Sequence, residues 1–530
     1  MIFVIDMLAF YFTTPNMKYL RKLIVPFLSL ILIIPVVLWI LSETISPEII
    51  REYVSHELIA ITSQPSRIMG DIKWEVFPHP GIKITNIQVG EENNTERYSL
   101  KFNNLFLNLK ITPLLRGKLV FSFLKVDGFS IRINADTVLP VKHEKINSPA
   151  VTANKPLNSQ FAIERLLLSN GQLTLVKNTQ QIKLTGLQIG AEEINSPQAS
   201  FPFQLKSQLE YSDSNRLLAK AQIQFKGSTS LSATLFTNPH LDLRAYLLNG
   251  QLIIQSVQID KFKISKLSAN TTLKNNVLSF NPLTITLYQG ESVGNLRYEL
   301  LQKNLEINVT ATRLNSLGLT RDLFNKKLLK GKMDISLHSQ TDFRKESWKS
   351  ATVGSGNISI KDGSIESINL NNVIEVTSNK IEGFLSGKKL DANAILDVST
   401  FDSPEFFKGS TPFSLMTFKY RLQNASLYSD ALFLQTNILQ LKGDSQLNLN
   451  DYALESHFLT MINVPQKKVI AIQQLLGGSF PILVHGTLTN PIFLPDLKKI
   501  NPILTKYLIK DALTKPIKKI TDQLATIFAK

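Results

Sequence analysis

The chain has no cysteine in 530 residues. That excludes disulfides, thiolate metal sites and cysteine nucleophiles, and leaves apolar burial and strand pairing to hold the fold. Histidine is scarce: His56, His79, His143, His240, His338, His457 and His485 stand far apart, with no H-E-x-x-H and no i, i+4 pair, so no metal centre is expected. There is no G-x-x-x-x-G-K-[ST] loop, and Gly354 with Gly356 does not complete G-x-G-x-x-G. Gly290-Glu291-Ser292-Val293-Gly294 spells a serine-hydrolase nucleophile elbow, but that chemistry needs a strand, a sharp turn and then a helix. NLRYEL follows and reads as strand, so a hairpin turn is expected there. Asp362 and Gly363 in KDGS read as a type I′ hairpin turn rather than as a catalytic carboxylate. No catalytic residue, cofactor or metal is expected, and the chain reads as a non-enzyme.

Acidic residues are the minority, 42 against 58 Lys and Arg, for a net charge of +16. A nucleic-acid binder gathers its basic residues on one stripe with stacking aromatics beside them. Here lysines are scattered singly through the apolar segments, and the densest group is Lys498 to Lys519 near the C-terminus. Anionic lipid or a membrane surface is therefore the expected partner, not nucleic acid, with plain solubility charge as the bland alternative.

What is present begins with one long apolar run. Leu23 to Leu41, LIVPFLSLILIIPVVLWIL, carries no charge over nineteen residues, about the 30 Å of a bilayer's hydrocarbon core. Lys18, Arg21 and Lys22 precede it and Glu43 and Glu48 follow, which predicts a cytoplasmic N-terminus and export of everything beyond. A cleaved signal is the competing reading. It would have a shorter apolar region and a small-residue cleavage site, which LSETISPEII supplies poorly. Pro26 and Pro35 predict a bent membrane helix. Residues 1–16 are too short to span, and Met17 opens the more ordinary anchor start MKYLRKL, so translation is expected to begin there.

Beyond the anchor, Ile49, Ile50, Tyr53, Val54, Leu58 and Ile61 predict a short helix over 47–61. Strand periodicity then takes over. Leu105, Leu107 and Leu109 alternate, as do Phe201, Phe203, Leu205, Leu209 and Tyr211, then Leu283, Ile285 and Leu287, and Leu305, Ile307 and Val309. Turns of Asn, Gly, Ser and Asp between short strands, without long helical patterns, predict an antiparallel all-β body. Trp74 is expected to be a packed strand residue, and Thr137 to Ser159 reads as a long loop. Arg313 to Gly331 is the main helical interruption, with Gly331 placed to end it, and marks the expected domain boundary. Strands resume until a basic amphipathic tail, split at Pro516, that either lies on a membrane or covers the end of a sheet; the second is favoured. The division is thus 1–22 cytoplasmic, 23–41 transmembrane, 42–312 and 313–496 β domains, and 497–530 helical tail.

Three stretches in order carry a resemblance. GDIKWEVFPHPGIKITNIQVG and LKITPLLRGKLVFSFLKVDGFSIRI follow the anchor; LLKGKMDISLHSQ and GSGNISIKDGSIESINLNNVI follow the helical interruption; LYSDALFLQTNILQLKGDSQLNLNDYALESHF and GSFPILVHGTLTNPIFLPD close the body. Together they resemble the AsmA family of bacterial envelope proteins. Asn369 stands where that family often has an acidic residue, and the spacer from Asp342 to Gly354 is short. The resemblance implies a bitopic inner-membrane protein whose periplasmic β-sheet forms an elongated, taco-like groove related to bridge-like lipid transfer proteins, with phospholipid as ligand and a role in outer-membrane biogenesis. The alternative is an assembly factor for outer-membrane proteins or lipopolysaccharide that binds no lipid. At about 4.8 Å per strand, some forty strands would be needed to reach on the order of 190 Å, about twice what the pattern offers, so an envelope protein partner is expected. Alternation provides an apolar face for a groove or for a closed sandwich alike, and does not choose between them.

Overall fold

The computed structural model describes residues 46–62, 65–75, 81–90, 98–110, 121–134, 163–194, 200–230, 247–366, 368–385, 409–463, 467–507 and 510. The expected anchor, Leu23 to Leu41, lies outside these residues, as do the loop expected at Thr137 to Ser159 and most of the basic tail. No helix among the described residues is long and apolar enough to cross a membrane. The chain divides into two compact units, residues 1–247 and 248–530.

The first unit opens with helix α1 (Pro47–Thr62), where the apolar spacing placed it. Ile50, Val54 and Leu58 pack on the core of Ile68, Ile72, Ile84, Ile87 and Val89. The Arg51 guanidinium donates to the carbonyls of Ile68 and Gly70, which ties the helix to the first strands. Short strands β1 (Ser66–Ile68) and β2 (Ile72–Glu75) both pair with β3 (Gly81–Val89). The sheet continues in sequence order through β4 (Tyr98–Leu109), β5 (Phe121–Asn134), β6 (Ile163–Lys177), β7 (Gln180–Glu192), β8 (Phe201–Asp213) and β9 (Arg216–Ser230). One pair departs from the expected antiparallel rule: β5 and β6 run parallel. Residues 135–162 connect them, and a chain that returns to the same end of a sheet needs a connection of about a dozen residues or more.

The second unit is an antiparallel meander in sequence order. It runs through β10 (Leu247–Ile259), β11 (Phe262–Lys274), β12 (Val277–Leu287), β13 (Gly290–Glu299), β14 (Asn304–Asn315), β15 (Leu329–Asp342) and β16 (Thr352–Glu366). It continues through β17 (Ser410–Gln423), β18 (Ser426–Gln435), β19 (Leu439–Asn448), β20 (Leu454–Ile462), β21 (Phe480–Thr487) and β22 (Asn490–Pro495). Helices α2 (Ser316–Phe324), α3 (Trp348–Ala351), α4 (Leu370–Leu385), α5 (Lys467–Leu475) and α6 (497–507) punctuate it. Several hairpins turn on two residues that both have positive φ: Ser214-Asn215, Asn275-Asn276, Tyr288-Gln289 and Asn424-Ala425. That geometry matches the right-handed twist of the flanking strands.

Several glycines among the described residues sit directly across from aromatic rings. Phe129 faces Gly171, Tyr420 faces Gly356, Phe413 faces Gly363 and Phe458 faces Gly443. A Cβ at Gly171 would fall 2.0 Å from the Phe129 ring, so the missing side chain is the space the ring occupies. Rings laid over glycine restore the packing that a strand glycine forfeits.

Three local expectations are corrected. The interruption predicted over Arg313 to Gly331 is a helix of nine residues. Asn315 caps its start by accepting from the Gly318 amide at 3.2 Å, and Asn325 ends it in the left-handed conformation. Gly331 lies instead in β15, at a register shift opposite Asp362-Gly363. KDGS is consequently a bulge inside β16, not a hairpin turn; Asp362 takes φ of 47° and the strand continues to Glu366. GESVG is itself strand: the turn falls one step earlier, at Tyr288-Gln289, and Ser292 stands within β13 opposite Ile285 and Ala311.

Candidate functional site

Residues directly opposite one another in a sheet project to the same side, so the register assigns each side chain to a face. On β8, Phe201, Phe203, Leu205, Ser207, Leu209 and Tyr211 share one face and Pro202, Gln204, Lys206, Gln208, Glu210 and Ser212 the other. The apolar set continues across the unit. Leu205 faces Ile189 and Phe225; Ile189 faces Leu168; Leu168 faces Val126; Val126 faces Leu105; and Leu105 faces Ile84. A second row runs from Leu209 through Leu184, Leu173, Ile131 and Leu100 to Val89.

This face is packed within the sheet more than it is covered. Val126, Phe129 and Leu187 are buried, whereas Leu168, Leu173, Ile189 and Leu205 around them are only half-buried. The one helix described in this unit, α1, packs on β1, β2 and β3. No described helix lies over β4 to β9. Ile182, opposite Tyr211 near one margin of the face, remains 39 % exposed.

In the second unit the equivalent face is closed at one end of its strands. Ile360, Phe413, Leu434, Leu439 and Phe480 from the sheet form a single core with Leu370, Ile374 and Ile381 of α4, Val469 and Ile472 of α5, and Ile500 and Leu504 of α6. In the described part of the tail, Lys498, Lys499 and Lys506 are exposed while Ile500 and Leu504 are buried on the sheet, so this part covers a sheet. Asn369 accepts from the Asn372 amide at 3.3 Å at the start of α4. It supplies the cap an aspartate would supply. Toward the other strand ends, Leu305, Leu337, Phe418, Leu422, Leu427 and Leu447 stay half-buried.

Polar groups make local pairs. Asp127 accepts from Ser169 at 2.8 Å and Asn170 at 2.7 Å, which holds its carboxyl below the usual range. Asp322 of α2 accepts from Arg321 at 2.8 Å and from the Tyr288 hydroxyl at 3.0 Å, fastening the helix to the β12–β13 turn and lowering its own carboxyl. Burial raises the Tyr420 hydroxyl, which donates to the Ser336 carbonyl at 3.1 Å.

The residues weighed for chemistry are not assembled by these strands. Ser292 is buried on the apolar face of β13, away from any strand-to-helix elbow. His56 and His338 are exposed, and His457 lies on the polar face of β20, 3.2 Å from Asp444. His79, His143 and His240 lie outside the described residues. Trp74 is in β2, as expected of a strand residue, with its indole nitrogen buried and without a partner.

A family model described as the AsmA family matches the chain over residues 17–239 and again over 237–428. The chain belongs to the AsmA family. No curated protein and no solved structure matched it. The two AsmA matches span α1, the strands β1 to β9 and the meander as far as β17. The helical closure by α5 and α6 lies beyond them.

Proposed function

We propose that this AsmA protein holds the acyl chains of phospholipid against the apolar faces of its sheets and helps move that lipid toward the outer membrane. The supporting observation is the apolar face of β4 to β9, continuous across the strands and uncovered by any described helix. Losing an acyl chain from such a face to water costs roughly 0.8 kcal/mol per methylene, whereas sliding it between neighbouring rows exchanges like contacts. The sheet can thus shield a chain while the headgroup stays in water. Leu23 to Leu41 anchors the protein in the inner membrane with its N-terminus in the cytoplasm, the β units stand in the periplasm, and a further envelope protein completes the route. No bond is made or broken in this reading, and Ser292→Ala leaves function intact.

Native mass spectrometry with lipidomics on residues 42–530, purified without the anchor, tests it. Stoichiometric phospholipid is the expected result. A stable, lipid-free protein would refute it and turn attention to a role in placing outer-membrane proteins or lipopolysaccharide.

A further inference from the structure

The polar side of the first unit carries a cluster that acyl-chain holding does not use. Lys83, Phe106 and Lys125 occupy one row across β3, β4 and β5, each directly opposite the next. Both ammonium groups lie over the ring, 5.0 Å and 5.5 Å from its centre. In the adjacent row Phe123 faces Arg165, whose guanidinium is 6.0 Å from that ring. The row also extends to β2, where Lys73 stands directly opposite Lys83. Like charges in that position destabilise a sheet. Asp71 pairs with Lys73 at 3.0 Å, and Glu192 lies 4.0 Å from Arg165. Lys83 and Lys125 have no ion-pair partner among the described residues. Two half-buried lysines are thus set over one ring without an ion pair among the described residues, Asp127 on the same strand being the carboxylate that Lys125 acts on.

We infer that this row is a docking surface for the anionic headgroups of the membrane in which the protein is anchored. The inference rests on the anchored placement proposed above. Residues 42–46 separate the expected end of the membrane helix from α1, a reach of at most about 3.5 Å per residue, and α1 is fastened to β1 and β2 through Arg51. The lysine row therefore starts on the strands tied closest to the anchor. Lysines backed by aromatic rings match a surface of phosphate charge over apolar chains. Docking would hold the polar side of β2 to β6 against the headgroups and leave the opposite, apolar side for lipid.

The test is lysine acylation read by mass spectrometry on the full chain in nanodiscs of phosphatidylcholine alone or with phosphatidylglycerol. Lys220 and Lys226 of β9 share the polar face and serve as internal controls; they lie six strand spacings from β3, about 29 Å. Lys83 and Lys125 should react about fivefold more slowly in the anionic discs, the equivalent of about 1 kcal/mol per lysine at such a surface. The controls should not change, and salt near 1 M, with a screening length of about 3 Å, should abolish the difference. Equal protection in both kinds of disc would overturn headgroup docking and point to an acidic protein instead, and equal protection of all four lysines would reduce it to diffuse charge. Protein that never enters the discs would overturn the anchor and this surface together. Lipid co-purifying with a chain that shows no protection would overturn the surface alone.

Discussion

Leu209→Lys separates an open apolar face from a closed core. Leu209 lies on β8 between Leu184 and Ala221, half-buried, with polar residues on both sides of it along the strand. A fully buried leucine contributes about 1.5–3 kcal/mol, so a half-buried one contributes on the order of 1. On an open face the lysine stem keeps part of that contact while the ammonium reaches water, and the fold should lose about 1–1.5 kcal/mol. For a unit of this size that is a fall of roughly 2–6 °C in melting temperature. Under a covering layer the same ammonium would be unpaired and dry, and the loss would exceed about 4 kcal/mol. Thermal unfolding of wild type and variant, with phospholipid content measured on the same preparations, reads both consequences. The expected pair of results is a small melting shift with a clear fall in bound lipid, because a charge on the face is poor company for acyl chains. A variant that fails to fold would refute the open face, and one that folds with undiminished lipid would refute its use.

Gly171→Ala should cost about 1–3 kcal/mol in chemical denaturation because its Cβ meets the Phe129 ring. Adding Phe129→Leu should recover part of that loss, and a neutral single variant would mean the ring does not lie there. Asn369→Ala should destabilise by about 1 kcal/mol through loss of the α4 cap, while Asn369→Asp should be neutral or slightly stabilising at the helix N-terminus. Asp127 is held below its usual range, so its contribution is present above the unfolded-state value and lost as pH falls through the folded one. Ser169→Ala should move the Asp127 titration midpoint upward by NMR and narrow the acid window over which that stability is lost.

Patterns with a short period were legible in the sequence, and those decided by distant contacts were not. α1 appears at Pro47–Thr62 because its apolar spacing is local, and β8 keeps the phase that Phe201 to Tyr211 set out. α4 is not legible although Leu370, Val373, Ile374 and Ile381 share a helical face, because the asparagines and β-branched residues among them read equally as turn and strand. KDGS has the chemistry of a hairpin, and only pairing with Lys330 and Lys332 on β15 makes it a bulge. The parallel β5–β6 pair leaves no mark on either strand, since alternation is the same in both directions. The candidate site divides along the same line. Which residues make its apolar face follows from alternation, but whether that face is covered depends on elements far along the chain. In the second unit the cover comes from α4, α5 and α6, all placed after β16, and it closes one end of strands whose other ends stay half-buried. In the first unit the described helix comes before the sheet and is held to β1 through β3. Identical periodicity therefore yields a buried core at one place and, at another, a face that no described helix covers. The distinction that matters for lipid rests on what packs over a strand rather than on its own residues.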